Sequence, residues 1–414
     1  MKRLLLTALI LCVAVAVLAG CGDSSSDTKE TGDSTENTNQ AAEQTAEQTA
    51  EETTPTLNVD FTKFDSYKVF EAPEDNPRDI AYNYMYKMSQ IKWVASETWN
   101  THWKNPLDYV VDITYTKGKT YYGLPYADTK CGYDVFAEYV VDGKFTPNSD
   151  FYEELLGNHC SSSMTVAYQQ LVDLPYTSSL KEADYNKGLI KLAGDLKLPD
   201  KSPYLSKDVL DLNGIDKIYE AYTTLDKGDI LFKCVEGSGH IRMVSKVEIS
   251  KTVAGKLNPA RSYVYCLEQT NAWADNKRNS TWFVDRKYSF TELNDTLFTP
   301  FTLAIFHEEN PVIEDHYIAM KGKNTPESVV KLLAGSLESN SPINYVRATV
   351  TDKDGKIVGE VLKYNNPNVY KANIREMSFS LGIDKLPAGT YTFTLKAGIA
   401  RGTWEIENFE FTKE

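Results

Sequence analysis

Two stretches in the first half of the chain have apolar residues at three- and four-residue spacing, which predicts helices that each bury one face. The first starts at Asn76-Pro77, because proline at the first helical position and Asp79 at the third both favour a helix start. The pattern continues to about Trp99 through Ile80, Tyr84, Met88, Ile91 and Val94. A shorter helix is predicted over Asp184 to Ala193.

The second stretch is expected to end before Pro175, and its apolar positions are Met164, Ala167, Tyr168 and Leu171. Asn158 and the serines that follow Cys160 are good N-cap residues, so Cys160 is expected in or near the first helical turn. Unpaired backbone N–H groups and the positive end of the helix dipole favour thiolate over thiol at that position. Cys160 is therefore a candidate nucleophile.

Short runs of β-branched and aromatic residues, separated by turn residues, follow Asp226 and predict antiparallel strands. The runs cover 230–235, 240–249, 261–268, 282–284, 288–290 and 301–306. Glu236 to Gly239 is a turn, which places His240 at the start of the second strand, and Ser289 is suited to cap a short helical turn. Helices followed by an antiparallel meander predict an α+β fold.

The pattern changes near Glu309-Asn310-Pro311 to short strands with turn signals between them, which predicts a β-sandwich (Ig-like) accessory domain over 310–414. The first folded domain is accordingly predicted over 57–309. Strands are expected over 345–351, 377–381, 390–396 and 404–411, with a helical connector over 325–337. No catalytic constellation is visible in the second domain, so a binding role or structural support of the first domain is expected.

Residues 1–21 have the features of an export signal. A basic start precedes an apolar run, Leu4 to Leu18, that is too short for an ordinary membrane-spanning helix. The following Leu18-Ala19-Gly20-Cys21 resembles the lipobox of bacterial lipoproteins, which implies cleavage before Cys21 and lipidation of its sulfur. An ordinary secretory signal with a coincidental cysteine is the alternative.

Residues 22–56 contain no aromatic residue and are strongly acidic, which predicts a disordered tether. The expected location is therefore extracytoplasmic, with the membrane as a partner through the lipid on Cys21.

The net charge of −14 at pH 7, without a basic stripe, argues against nucleic acid as a partner. No His, Cys and acid cluster has metal-ligand spacing, so neither a metal nor a cofactor is expected. Cys234 and Cys266 are expected as buried free thiols, with a bridge between them as the alternative.

Three segments share a pattern in which a Gly-x-Pro-Tyr run, a helix-start cysteine and a hairpin histidine follow one another. They are Gly123-Leu124-Pro125-Tyr126, His159-Cys160-Ser161-Ser162, and Leu225 to Phe232 running into Gly239-His240-Ile241. Their order and spacing resemble those of the NlpC-like cell-wall peptidases and the related CHAP amidases. The resemblance covers about Asn76 to Phe306 and implies a papain-like fold.

The resemblance also implies catalytic roles. Cys160 would be the nucleophile, and His240 would be the general base and then the acid to the leaving amine. A third group should orient the imidazole, and Glu268 resembles the Glu that CHAP amidases place on the strand after the histidine strand. Gln269 and Asn271 remain alternatives, because neighbours along a strand face opposite sides.

Tyr126, His159 and Trp273 are candidates for lining a substrate cleft. His159 and Ser162 depart from the family pattern, which has Asp before the nucleophile and Gly after it, and His159 is expected either to compete electrostatically with His240 or to point into solvent. The implied function is hydrolysis of amide bonds in peptidoglycan or another peptide substrate. The alternatives are a catalytically inactive papain-fold lipoprotein that binds the cell wall or another ligand, and an ester- or acyl-transferring enzyme.

Overall fold

The computed structural model describes residues 57–104, 110–174, 188–200, 204–274, 278–364 and 369–414. The predicted signal peptide, the lipidation site Cys21 and the tether lie outside these ranges. The described part is mixed α+β, with short helices and mostly antiparallel sheets, which confirms the predicted class. Within those ranges, no helix combines the length and the apolar character that crossing a bilayer requires.

The helices of the described part are α1 (Pro77–Gln90), α2 (Tyr133–Glu138), α3 (Cys160–Tyr168), α4 (Ser206–Asn213), α5 (Ile215–Thr223), α6 (Phe290–Asp295), α7 (Pro326–Val329) and α8 (Ser378–Leu381). The strands up to the end of the first predicted domain are β1 (Ser66–Phe70), β2 (Lys92–Ala95), β3 (Trp99–Lys104), β4 (Val110–Tyr115), β5 (Thr120–Tyr122), β6 (Val140–Val141), β7 (Lys144–Phe145), β8 (Ile190–Leu192), β9 (Ile230–Val235), β10 (Ser238–Glu248), β11 (Tyr263–Gln269), β12 (Trp282–Ser289) and β13 (Thr299–Leu303). The remaining strands are β14 (His316–Lys321), β15 (Ser336–Ser339), β16 (Tyr345–Thr351), β17 (Ile357–Tyr364), β18 (Lys371–Asn373), β19 (Gly389–Ile399) and β20 (Gly402–Lys413).

A six-stranded antiparallel sheet carries the residues of interest, in the order β12-β11-β10-β9-β13-β8. Strands β9 and β10 form the predicted hairpin, in which His240 lies opposite Lys233. Helices α1 and α3 pack against each other, and α3 also packs against β10. Their apolar faces share one hydrophobic core, so the start of α3 is fixed next to the sheet.

An aromatic layer lies beside this sheet. Strands β5, β2, β7 and β6 form a small sheet in which β2 and β7 are parallel, and β3 and β4 form a separate hairpin. Trp93 of β2 is buried among the rings of Trp99, Tyr115, Tyr121 and Phe145. Strands that pack through these aromatic rings take the place of the last part of the long helix that the sequence predicted, from Ile91 to Trp99.

The C-terminal region consists of two antiparallel sheets, in the orders β1-β14-β15-β18 and β17-β16-β19-β20. Side chains from both sheets, among them Ile318, Leu337, Val350 and Phe393, belong to one hydrophobic core. Strand β1 comes from the start of the predicted first domain and pairs with β14. The described residues, which begin at Leu57, form one compact unit, and the division at 309/310 stays a prediction.

The predicted start of α1 is confirmed, because Pro77 is its first residue and the Asn76 side chain accepts a hydrogen bond from the backbone N–H of Arg78. Its predicted end is wrong: α1 ends at Gln90, and β2 and β3 follow. Ile91 and Val94 match helical spacing by coincidence. The pairing of Trp93 with Tyr121 across β2 and β5 provides long-range contacts that local periodicity does not reveal.

Three smaller predictions also fail. The helix over 184–193 is contradicted where it is described, because 190–192 form β8 and pair with β13. Residues 377–381 are helical rather than extended, and the helix in the 325–337 connector is limited to α7. The cap of α6 is confirmed, because the Ser289 side chain accepts a hydrogen bond from the N–H of Glu292.

Candidate active site

Cys160 is the first residue of α3, which confirms its predicted place at a helix start. The rest of this helix, Ser161 to Tyr168, is buried, whereas Cys160 itself is partly exposed. The backbone N–H of Cys160 lies among the first N–H groups of the helix, which have no partner within the helix itself. This placement combines a reachable sulfur with the positive end of the helix dipole.

His240 lies near the start of β10, and its side chain is 21% exposed. Its Nε2 is 2.5 Å from Oε2 of Glu268. A carboxylate only accepts hydrogen bonds, so Nε2 donates, and Nδ1 is the ring nitrogen left for other chemistry. Hydrogen bonding and charge interactions also connect the imidazole to the Cys160 thiol.

Glu268 lies on β11 and has a side chain that is 1% exposed. Besides His240, it accepts hydrogen bonds from Nε of Arg242 at 3.0 Å and from the hydroxyl of Tyr288. Burial by itself raises the pKa of Glu268, but the His240 hydrogen bond and the Arg242 charge outweigh it and lower the pKa to about 2. Glu268 is therefore a carboxylate that stays charged beside the histidine.

Gln269 and Asn271, the two alternatives for the residue that orients His240, form hydrogen bonds with other groups. Gln269 is buried and donates from Nε2 to the backbone carbonyls of Leu124 and Pro125, at 3.0 and 3.1 Å. Asn271 donates to the carbonyl of Val110 at 2.9 Å. Of the three candidates, Glu268 is the one that the structure brings to His240.

The thiol of Cys160 has a perturbed pKa. Burial raises the pKa of this thiol, but hydrogen bonding and charge interactions with His159 and His240 have the larger combined effect and lower it. Burial lowers the pKa of His240, whereas Cys160 and Glu268 together raise it above its ordinary value. The two shifts have the same physical basis, because each group stabilises the charged form of the other. The pair therefore favours thiolate and imidazolium.

The other described cysteines differ from Cys160. Cys131, Cys234 and Cys266 are buried and free, so the alternative of a Cys234–Cys266 bridge is wrong. Burial raises the pKa of Cys131 and of Cys266, as expected for thiols in apolar surroundings. Among these thiols, the combination of partial exposure and a lowered pKa belongs to Cys160.

His159 does not point into solvent as one alternative proposed; it is 7% exposed and forms the N-cap of α3. Its Nδ1 accepts hydrogen bonds from the N–H groups of Ser161 and Ser162, and its Nε2 lies 2.8 Å from Oδ1 of Asp128. The prediction that Asn158 caps the helix is wrong. The Asn158 side chain instead bonds both the N–H and the carbonyl of Cys131.

The remaining cleft candidates have different surroundings. Tyr126 is 3% exposed, its ring is stacked on Tyr152, and its backbone forms a bridge to Asn158, two residues before Cys160. Trp273 is 39% exposed and contacts the rings of Tyr115 and Tyr121. Trp273 thus offers an aromatic surface to solvent, whereas Tyr126 lies beneath the surface.

Sequence reasoning missed Asp128, Arg242 and Tyr288. Arg242 had a usable signal, because it lies two residues after His240 on the same strand and alternation places both on one face. Tyr288 had none, because it reaches Glu268 only through the pairing of β11 with β12 and the irregular register near Cys266.

In the described ranges, no three His, Cys, Asp or Glu side chains are grouped so as to hold a metal ion. Comparison with protein-family models, with curated proteins and with solved structures finds no match to this chain. A thiolate beside an imidazole that a buried carboxylate orients can carry out nucleophilic attack on a carbonyl.

Proposed function

We propose that this chain is a cysteine hydrolase that cleaves amide bonds at the bacterial cell surface. One set of contacts carries the proposal: the Cys160 thiol interacts with His240, whose Nε2 lies 2.5 Å from the buried carboxylate of Glu268. Nucleophile, base and orienting carboxylate, in that order, are the parts of a Cys–His–acid triad. Cys160 is the nucleophile, His240 the acid and base, and Glu268 the group that orients the imidazole.

In the first half of the reaction, the Cys160 thiolate attacks the amide carbonyl carbon, a C–S bond forms, and the carbonyl oxygen becomes an oxyanion. The N–H of Cys160 at the start of α3 is positioned to donate to this oxyanion. The oxyanion then collapses, the C–N bond breaks, and Nδ1 of the His240 imidazolium gives its proton to the leaving amine.

In the second half, a water molecule attacks the thioester while neutral His240 takes the water proton. The C–S bond breaks, the carboxylic acid leaves, and the thiolate–imidazolium pair is restored. Glu268 holds Nε2–H throughout, so Nδ1 faces the reacting atoms in both halves.

A papain-like arrangement of the first domain is part of the proposal. Two observations support it. Cys160 is the first residue of α3, and α3 packs against β10, the strand of the antiparallel sheet that contains His240. A β-sandwich in the C-terminal region is supported by the core that its two sheets share. We assign this region the role of accessory domain.

The proposed substrate class is peptide amide bonds of peptidoglycan. Two features of the sequence support it: the lipobox-like segment that ends at Cys21 and the resemblance of the three motif segments to NlpC-like and CHAP enzymes. A lipid on Cys21 would hold the enzyme at the membrane, within reach of the wall through the acidic tether.

The test uses the mature chain, with its anchor kept in detergent, incubated with purified peptidoglycan. Newly exposed amino groups and soluble fragments are measured by mass spectrometry. We expect fragments from the wild type and none from Cys160→Ala, with unchanged circular dichroism because the thiol is partly exposed and small. Wall binding by both proteins without fragments from either would contradict hydrolysis. It would instead favour a papain-fold binding lipoprotein.

A further inference from the structure

Two imidazole–carboxylate pairs flank one thiol in this molecule. His240 pairs with Glu268, and His159 pairs with Asp128, whose Oδ1 lies 2.8 Å from Nε2 of His159. Both histidines act on the pKa of Cys160. Either of them can in principle serve as the cation that stabilises the thiolate, so their roles have to be separated by geometry.

Both ring nitrogens of His159 are already engaged. Nδ1 accepts hydrogen bonds from the N–H groups of Ser161 and Ser162, each at 3.2 Å, and lies 3.1 Å from the Ser161 hydroxyl. In return, the backbone N–H of His159 donates to the Ser162 hydroxyl at 2.9 Å, which completes a reciprocal capping box. A nitrogen that accepts two backbone N–H groups carries no proton. The observed cap therefore requires the neutral ring with its hydrogen on Nε2.

The groups that act on the charge of His159 oppose one another. Burial lowers the pKa of His159, but the hydrogen bonds and charges of Asp128 and Cys160 outweigh burial and raise the pKa to about 9. The two N–H groups of the helix start act against a proton on Nδ1, and the positive end of the helix dipole adds to this effect. The hydrogen bonds of the cap therefore oppose the effect of the Asp128 carboxylate, and they fit a ring without a proton on Nδ1.

Building on the proposed function, we propose that His159 is a positioning residue that caps α3 as a neutral imidazole, held by Asp128, and is neither a second base nor the cation of the nucleophile. The cap occupies the N–H groups of Ser161 and Ser162. The N–H of Cys160, which has no hydrogen-bond acceptor among the described residues, is then the donor that remains for an oxyanion. His240 alone supplies the proton chemistry.

Asparagine at position 159 separates the two roles. Asn is among the best N-cap residues, but it carries no proton and no charge. If His159 acts as a neutral cap, His159→Asn keeps the first turn of α3 and the thiolate. If His159 is a cation that stabilises the thiolate, the same change raises the pKa of Cys160.

The experiment measures the rate at which iodoacetamide alkylates Cys160 as a function of pH, in the full mature chain. We expect His159→Asn to keep the rate near neutral pH within about threefold of the wild type, with no rise in the acid-side midpoint. His159→Leu, which removes the cap, should slow alkylation about tenfold. A rise of about one pH unit or more in the midpoint of His159→Asn would overturn the proposal, because that is the effect of a lost cation.

Two control variants distinguish an effect of the α3 cap from a general effect of losing a helix cap and from a failure of the proposed triad. Thr325→Leu removes the N-cap of α7, where Thr325 accepts from the N–H of Ser328, and should leave the alkylation profile unchanged. His240→Ala reports on the proposed triad and should raise the midpoint toward that of a free thiol. If His240→Ala leaves the profile unchanged, the proposed function fails, whereas the result for His159→Asn still decides the role of the cap. If His159→Leu fails to fold, the midpoint of His159→Asn remains decisive.

Discussion

The sheet that contains His240 and the C-terminal sheets are all antiparallel, and all of them bury apolar side chains. They differ in how deeply their charged side chains are buried. Glu268 on β11 and Asp229, next to β9, each have a side chain that is 1% exposed and paired with an arginine. In the C-terminal region, ion pairs such as Lys371–Glu338 lie at the surface. Buried charges are costly unless they are paired, and the paired Glu268 beside His240 fits the proposed chemistry at this sheet.

A buried histidine, His316, and a partly buried one, His240, show the same contrast within one residue type. His316 in β14 is 4% exposed, and burial together with the nearby Arg401 charge lowers its pKa to about 3. His240 has Glu268 and Cys160 as neighbours, and its pKa is raised instead. Burial alone keeps an imidazole neutral, whereas a carboxylate and a thiol beside it favour the charged form.

Removal of the proposed base should reduce hydrolysis more than any other change considered below. His240→Ala should reduce hydrolysis by about 100-fold or more, because His240 is the proposed proton donor to the leaving amine. Amide cleavage per enzyme is the measurement. If His240→Ala keeps near-normal activity and an unchanged unfolding temperature, the sheet that contains His240 has no more part in the chemistry than the C-terminal sheets have.

Glu268→Gln tests the buried carboxylate with little change in shape. The amide keeps hydrogen-bonding capacity toward Tyr288 but presents a neutral partner to His240 and Arg242, so the imidazolium loses its counter-charge. We expect hydrolysis to fall about 100-fold. The same change should lower the raised pKa of His240, which a pH profile of the residual activity measures. An unshifted alkaline limb would contradict an orienting role for Glu268.

Phe393→Ala should affect stability rather than chemistry. Phe393 is fully buried in β19 beside Phe409, so its removal leaves a cavity and should lower the free energy of unfolding by about 3–5 kcal/mol. Denaturant unfolding gives this value. Well below the unfolding transition, the pH profile of hydrolysis should match that of the wild type. A shifted profile would indicate that the C-terminal core tunes the site.

The smallest effect is expected where the C-terminal region contacts the segment after α3. The hydroxyl of Tyr370 donates to Oδ1 of Asp173 at 2.5 Å, and Tyr370→Phe removes this bond. We expect a loss of about 1 kcal/mol in the free energy of unfolding, with less than about a twofold change in hydrolysis. A much larger fall in activity at unchanged stability would indicate that the C-terminal region positions the nucleophile's helix.

The elements that were predicted correctly from the sequence are those marked by residues close to them in the chain. Pro77 and Asn76 mark the start of α1, and the turn before His240 marks the β9–β10 hairpin, because each signal acts within a few residues. The start of α3 at Cys160 follows from helical spacing and the serines after it. Glu268 was chosen correctly over its neighbours as the partner of His240 through the resemblance rather than through a local rule.

What the sequence did not predict depends on contacts between distant segments. The apolar spacing around β2 is typical of a helix, but the pairing of Trp93 with Tyr121 makes this segment a strand. Asp128 contacts His159, which lies 31 positions away along the chain. The cap itself was misassigned, because a histidine is an uncommon N-cap and becomes one here only with a carboxylate to fix its tautomer.

The proposed function requires Cys160 and His240 to form a thiolate–imidazolium pair at neutral pH. Its most direct test is the difference in ultraviolet thiolate absorbance between the wild type and Cys160→Ser over a pH titration of the folded protein. A thiol pKa that is lowered in the folded state means that the thiolate is present below the usual midpoint of about 8.5 and disappears only as the pH falls further. We expect thiolate absorbance at pH 7, and we expect His240→Ala to abolish this absorbance. A midpoint at or above about 8.5 in the wild type would contradict it.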